Sequence, residues 1–325
     1  MVVALLGTRD DPQVRSVGAA LDDRDAEWEL WNSGDWPGAE PVSLSVGSGT
    51  GPSETDSHSN FDSETAPSGT RTVVGEPVNP ERITSVYLRR IGLDPRGPEF
   101  EDDLADRPYS LVNQVREYRG LVTSVLRHLE SRGVPVVNPV AAQSVHGLKP
   151  YQLAAFEDAG IPVPDTLATN DPDAARAFVE RVDDAVYKPV GGGGHARSIT
   201  PADLDSDRLD RLANAPVQFQ ERVAGENYRL FVVGGDVVAT GHIRSEELDY
   251  RLGEHEVDSA SVPAAVERAA VRAADVLDLR FAGVDVIERD GEFAVLEANP
   301  SPMFAAFDER AGTDVAGHLA AFLDR

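Results

Sequence analysis

The amino-acid sequence predicts an α/β protein of mixed α+β character, built in more than one domain. Three observations carry this. Apolar runs of strand length alternate with amphipathic helical stretches through the first two thirds of the chain. Two turn signals, "GGD" and "RDG", sit between apolar runs in the last third, as antiparallel hairpins require. The chain has 325 residues and 41% hydrophobic content, long for one domain and sufficient for separate cores.

Taken in order, "VVALLG" reads as a buried strand and "DPQVRSVGAALDDR" as a helix with Asp11 as N-cap and Pro12 at its first position. "EWELWN" closes a strand–helix–strand opening. No GxGxxG accompanies it, which argues against a dinucleotide site. Residues 46–72, beginning "VGSGTGPSETDSHSNFDSETAPSGT", form a polar insertion expected to be flexible. "ERITSVYLRR" alternates as a strand, "SLVNQVREYRGLVTSVLRHLESRG" is a long amphipathic helix closing on Gly133, and "VPVVNP" is a further strand. These complete an N-terminal α/β domain over residues 1–140.

A second unit, residues 141–216, contains a helix at "KPYQLAAFEDAG", another at "DPDAARAFVERV" and a strand running into four glycines at "DAVYKPVGGGG". A third, residues 217–325, holds the two hairpins, a helix at "VPAAVERAAVRAADVLDL" and a C-terminal helix at "TDVAGHLAAFLDR".

Composition removes several function classes. Without cysteine there is no disulfide, thiolate metal site or cysteine nucleophile. A formal net charge of −26 argues against a nucleic-acid partner, because phosphate-backbone affinity needs clustered Lys and Arg. No run of about 18 apolar residues suggests a membrane partner, and the N-terminus has neither a basic lead nor a small-residue cleavage site. A soluble, cytoplasmic protein is expected. Acidic excess with scarce lysine resembles the halophilic habit, in which salt screens self-repulsion. Only Lys149 and Lys188 remain among 30 basic residues. Such a composition keeps lysine where a compact ammonium cannot give way to a planar guanidinium; chance survival is the plainer alternative.

Polar residues interrupt the last hairpin. Asp285 lies between Val284 and Val286, and "VLEAN" ends on Glu297 and Asn299, two apart and so on one face. A three-residue loop, Arg289-Asp290-Gly291, places Asp285 on that same face; a two-residue Asp-Gly loop places it on the other. Together the three make an all-oxygen set suited to Mg²⁺ held beside phosphates. The ordinary alternative is a solvated sheet face. Lys188 enters a Gly-rich loop that includes Gly192 and Gly193, whose amides can approach phosphate without obstruction by a Cβ. The loop lacks the Gly-Lys-Ser/Thr ending of a P-loop. The linker after "QFQERV" can offer backbone groups to a purine edge, with Glu226 or Asn227 near a ribose. Arg229, Arg244 and Arg251 carry guanidinium forks that suit phosphate or carboxylate, although each alone reads as a surface arginine.

The order of these pieces resembles an ATP-grasp domain over roughly residues 140–325. It runs from Lys149 at a helix start through Lys188 with its glycine loop, "QERV" and "YRLFVVGGDVVA" to "GVDVI" and "VLEANPSP". The likeness is greatest to RimK-like ligases, which add amino acids to carboxyl termini. "WELWNSGDWPGAEPVSLSV", "ITSVYLRR", "PVVNP" and "TLATNDP" are similar to the microviridin-type ligases that cross-link precursor peptides. The resemblance implies an ATP-grasp fold behind an N-terminal pre-ATP-grasp domain, with Lys149, Lys188, Gly192 and Gly193 on ATP phosphates. It implies an adenine-side hinge at Gln220, Glu221, Arg222 and Val223, with Glu226 and Asn227 beyond it. Asp285, Glu297 and Asn299 would hold two Mg²⁺, with Mn²⁺ an alternative, and Arg229, Arg244 and Arg251 would face the phosphates or the acyl substrate. The chain departs from the family after Arg251, where "LGEHE" lacks the Asn and paired glycines of RimK-like enzymes.

The expected activity is an ATP- and Mg²⁺-dependent carboxylate–amine ligase acting through an acyl phosphate on a peptide, protein or amino-acid substrate. The alternative is a nucleotide-binding regulatory or scaffold module without turnover. Self-association, as a homo-oligomer, enters by resemblance alone.

Overall fold

The computed structural model describes residues 2–35, 42–45, 71–74, 82–91, 100–182, 184–191, 194–204, 209–249 and 252–325. By internal contacts the chain divides into two units. The first takes in Met1–Val14 and Ala26–Val136, and the second Arg15–Asp25 and Val137–Arg325.

The opening is the expected strand–helix–strand: β1 (Val2–Gly7), α1 (Pro12–Asp22) and β2 (Trp28–Asn32), with β1 and β2 parallel. Asp11 starts α1 as its sequence context predicts, its Oδ1 accepting the Gln13 amide at 2.8 Å, while Oδ2 takes Arg89 Nε at 3.0 Å. β3 (Val42–Ser45) and β4 (Arg71–Val74) pair antiparallel. The polar insertion joins them. Its last two residues, Arg71 and Thr72, belong to β4, and the remainder, 46–70, lies outside the described residues.

β5 (Ile83–Leu88) runs parallel on the other side of β1. α2 (Glu101–Asp106), with three carboxylates in its first turn to complement the helix dipole, is an element that the sequence reading passed over. α3 (Pro108–Ser131) buries Leu111, Val115, Val122, Val125, Leu126 and Leu129, a helical stripe. β6 (Val136–Val137) ends the sheet, whose order is β2-β1-β5-β6.

The second unit continues with α4 (Val140–Gln143) and α5 (Lys149–Asp158). A small antiparallel sheet follows, built from β7 (Thr166–Thr169), β8 (Ala185–Pro189), β9 (Arg197–Ser198) and β10 (Val217–Glu221) in the order β7-β10-β8-β9. α6 (Pro172–Val182) packs on one face, where Ala175, Phe178 and Val179 meet Phe219, and α7 (Pro201–Leu204) follows β9. β10, which begins just after the expected division at residue 216, belongs to this sheet.

The large sheet comprises β11 (Glu226–Val233), β12 (Asp236–Ser245), β13 (His255–Ser259), β14 (Phe281–Arg289) and β15 (Glu292–Asn299), ordered β13-β12-β11-β14-β15 and antiparallel throughout. α8 (Ala264–Val276) and α5 cover one face, packing Val266, Ala270, Ala273 and Phe156 on Leu230, Val232, Val284 and Val295. α9 (Ala305–Ala311), a second unanticipated helix, sets Phe307 against Phe231 on the opposite face, with ring centroids 4.7 Å apart. α10 (Val315–Leu323) closes the chain.

The buried Asn138 amide ties β14 to the end of β15. Its Nδ2 donates to the carbonyls of Phe281 and Pro300 at 2.6 Å, and its Oδ1 accepts the amides of Arg280 and Phe281 at 2.7 and 2.8 Å. No helix among the described residues is long and apolar enough to cross a membrane.

Candidate active site

The face of the large sheet opposite α8 carries the oxygen set, by a different route from the one expected. The β14–β15 loop has two residues, Asp290 and Gly291, since Arg289 pairs with Glu292. Both have positive φ, 56° and 90°, which makes a type I′ turn. A regular ladder from that turn would oppose Asp285 to Leu296 and send Glu297 to the helix-covered face. Leu296 is instead an extra residue in β15: Val286 pairs with Val295, and Asp285 pairs with Glu297. The bulge therefore restores what the short loop would have removed. Asn299, opposite Gly283, shares the face.

Each carboxylate meets a cation. Arg229, directly opposite Asp285 on β11, holds it with both arms of the guanidinium, Nε to Oδ1 at 2.7 Å and Nη2 to Oδ2 at 2.8 Å. Lys149 Nζ donates to Glu297 Oε2 around the sheet edge, with both side chains about 15% exposed. Burial is the largest single influence on the Glu297 carboxyl and pushes it up. The Lys149 charge and hydrogen bond, followed by the charges of Lys188 and His146, outweigh burial and hold the group below its ordinary value. The charges of both lysines thus act on one carboxylate, with Lys149 in direct contact with it. Asn299 Oδ1 accepts the Ser301 amide at 2.9 Å.

The edge strand is clamped to α5. Gln152 Oε1 accepts the Ala298 amide at 2.9 Å while its Nε2 donates to the Val145 carbonyl at 2.8 Å, and the Val295 amide donates to the Pro162 carbonyl at 2.8 Å. This clamp brings the head of α5, and so Lys149, beside Glu297.

On the small sheet, Phe219 points to α6, so Gln218 and Gln220 point away from it, together with Lys188, which lies opposite Gln218. Lys188 Nζ donates to Gln220 Oε1 at 3.0 Å. The linker 222–225 then joins this sheet to the large one; of the four residues expected as a hinge, Gln220 and Glu221 end β10 while Arg222 and Val223 begin the linker. Within it Arg222 reaches Asp184 at 3.6 Å, Val223 is half-buried, and Gly225 sits where an added Cβ would meet the Glu288 carbonyl at 2.5 Å. Glu221 continues the backbone pairing, its amide donating to the Asp165 carbonyl at 2.9 Å.

Other expected residues separate. Asn227 shares the Arg229 face, whereas Glu226 projects to the Tyr228 side and pairs with His242 at 2.6 Å. Arg244 also departs from expectation. Tyr228 opposes His242, so Arg244 lies on that same side, across the sheet from Arg229, and it pairs with Asp258 at 2.7 Å and Glu256 at 3.4 Å. Gly192, Gly193 and Arg251 lie outside the described residues. Sequence reasoning missed His146 and Gln152, whose roles arise only when the chain from 145 to 152 meets β15.

The donor set fits a hard divalent cation: two carboxylates and a carboxamide, all oxygen, on one strand pair.

The family model for the RimK-like ATP-grasp domain matches residues 148–323, the span that carries every site residue described above except His146. Among curated proteins, the chain is 31% identical over 215 residues to the probable alpha-L-glutamate ligase of Teredinibacter turnerae, covering 62% of this chain and 71% of that protein. It is 30% identical over 220 residues to the ribosomal protein bS6–L-glutamate ligase of Escherichia fergusonii, covering 62% and 72%. Among solved structures, the ATP-grasp ligase PsnB, complexed with a phosphomimetic variant of its minimal precursor, Mg and ADP, superposes with a TM-score of 0.84 at 33% identity. That match covers 99% of this chain and 97% of PsnB. The macrocyclase MdnC of Microcystis aeruginosa, bound to precursor peptide MdnA, shares the fold at a TM-score of 0.79 and 19% identity over the full length of both chains.

Proposed function

Because the chain belongs to the RimK-like ATP-grasp family, we propose that it is an ATP-dependent carboxylate–amine ligase whose acyl substrate is a peptide. The observation that carries this is the ion pair of Lys149 with Glu297, itself directly opposite Asp285, with the Lys188 charge acting on the same carboxylate. Oxygen ligands for a metal–polyphosphate and the Arg229 guanidinium share one face of the large sheet, Lys149 reaches it from the head of α5, and the linker joins that sheet to the small one that carries Lys188. The peptide preference is supported by extent of match. Relatives named as glutamate ligases match 62% of the chain, whereas PsnB, solved with its precursor, matches 99% of it, N-terminal unit included.

In the reaction a substrate carboxylate oxygen attacks the γ-phosphorus of ATP, the bond to ADP breaks, and an acyl phosphate forms. An amine then attacks the acyl carbon, phosphate leaves, and the amine gives up a proton to yield the amide. Two Mg²⁺, or Mn²⁺ in their place, held by Asp285, Glu297 and Asn299, would supply charge neutralisation between the phosphate oxygens. Lys188 meets the phosphates from the small sheet and Lys149 from the head of α5. Arg229 fixes the orientation of the Asp285 carboxylate and supplies positive charge beneath the reacting groups. Residues 141–221 and 222–325 are the two halves of the nucleotide clamp, and residues 1–140 precede them. Arg251 remains assigned to substrate by family position.

The test is ADP release measured across a panel of amino acids and peptides, with Glu297→Ala as the control. Release that depends on a peptide and is lost in the variant supports the ligase. Nucleotide binding without release under any acceptor would make the protein a binding module.

A further inference from the structure

The small sheet contains an internal comparison. Gln218 and Gln220 lie two apart on central strand β10 and point to the same face as Lys188. Gln218 is directly opposite Lys188, yet it is wholly buried and neither its Oε1 nor its Nε2 has a hydrogen-bond partner among the described residues. Gln220, one diagonal step away, accepts from Lys188 Nζ at 3.0 Å. The two glutamines differ in what stands across from them on β7. Gln218 faces Ala168, and Gln220 faces Thr166.

Thr166 fixes the direction of the chain of hydrogen bonds. Its hydroxyl has one proton, and that proton goes to the Pro164 carbonyl at 2.9 Å, which can only accept. Thr166 Oγ1 must then accept from Gln220, and it does so from Nε2 at 2.9 Å. With its nitrogen committed there, Gln220 can present only its oxygen to the ammonium, which can only donate. We propose that Thr166 is a positioning residue for nucleotide binding, acting through Gln220 to hold an acceptor on Lys188 and so place its ammonium. The inference rests on the reading of Lys188 as a phosphate-binding residue. Without the Thr166 hydroxyl, Gln220 is in the position of Gln218: no group holds its amide from behind, and a flip would turn its NH₂ toward the ammonium.

The lysine count makes this measurable. With lysines at 149 and 188 only, selective ¹⁵Nζ labelling gives two side-chain ammonium resonances, assigned with Lys149→Arg. In nucleotide-free protein, Thr166→Val should shift the Lys188 resonance and Thr166→Ser should leave it in place. In titrations with ADP and Mg²⁺, Thr166→Val should weaken binding about five- to tenfold, as loss of one hydrogen bond to a charged group implies, and Thr166→Ser should restore it. In a Gln220→Leu background the Thr166→Val change should add nothing. A Thr166→Val protein that melts lower but keeps the Lys188 resonance and the affinity overturns the proposal. Wild-type affinity in Lys188→Met overturns the underlying reading of Lys188 instead, whatever Thr166 does to the resonance.

Discussion

The hairpins β11–β12 and β14–β15 share a plan: a two-residue turn with both φ angles positive, then one extra residue a few positions into the second strand. In β14–β15 the extra residue is Leu296, and it turns Glu297 to the face of Asp285. In β11–β12 it is Val238, since Val232 pairs with Val237 and Phe231 with Ala239. A regular ladder there would oppose Arg229 to Thr240 and leave Arg244 on the side of Arg229. The bulge moves the partner of Arg229 to Gly241 and turns Arg244 away. One bulge assembles the candidate ligand set and the other removes a candidate cation from it. Facing in a hairpin is thus set by the parity of all residues between two positions, bulge included, and the turn alone does not decide it.

The sharpest break of this comparison is Glu297→Ala against Arg244→Ala. Loss of the carboxylate that the first bulge brings inward should reduce ADP release by about 10²–10³-fold, the range for removing one preorganised electrostatic group. Metal removal sharpens the contrast. In EDTA the face that carries Asp285 and Glu297 opposes a triphosphate, so wild-type nucleotide affinity should fall about tenfold or more, a smaller fall being expected in Glu297→Ala. Tight ATP binding in EDTA would count against the metal assignment.

The turns provide a smaller pair. Gly291 and Gly235, at φ 90° and 96°, each have open space where a Cβ would stand, so alanine at either costs only backbone strain, about 1–2 kcal/mol by thermal or denaturant unfolding. Gly291→Ala should also weaken Mg²⁺-dependent ADP binding, and Gly235→Ala should not. The smallest effect belongs to Arg244→Ala. Its partners Glu256 and Asp258 are exposed, and activity should stay within about twofold of wild type, as for an exposed ion pair. A loss as large as that from Glu297→Ala would show that the second hairpin does not set Arg244 aside.

Much of this was legible in the sequence because it rests on local chemistry. "GGD" and "RDG" marked both turns, Asp11-Pro12 marked a helix start, and the two-residue spacing put Glu297 and Asn299 on one face. The sequence left the loop length at Asp290-Gly291 open, and the reason Asp285 joins them was not legible, because a bulge leaves no residue-type signature at Leu296 or Val238. The helices at Glu101–Asp106 and Ala305–Ala311 are too short to show a period. His146, Gln152 and Thr166 act across long sequence separations, on Glu297, Ala298 and Gln220, so nothing near them in the chain announces it. The lysine argument works differently: scarcity singled out two positions, and the charges of both act on Glu297.

The clamp of Gln152 and Pro162 on β15 has a practical reach. It makes α5 ride with the large sheet, so Lys149 keeps station with Glu297, while Lys188 belongs to the small sheet on the far side of the 222–225 linker. On the clamp reading proposed above, the molecule carries one lysine amine on each jaw. Any motion about the linker changes the span between them, and no other lysine can confuse the reading. A bifunctional amine reagent of fixed length would act as a caliper on this protein, gauging how far the jaws stand apart as nucleotide and peptide arrive.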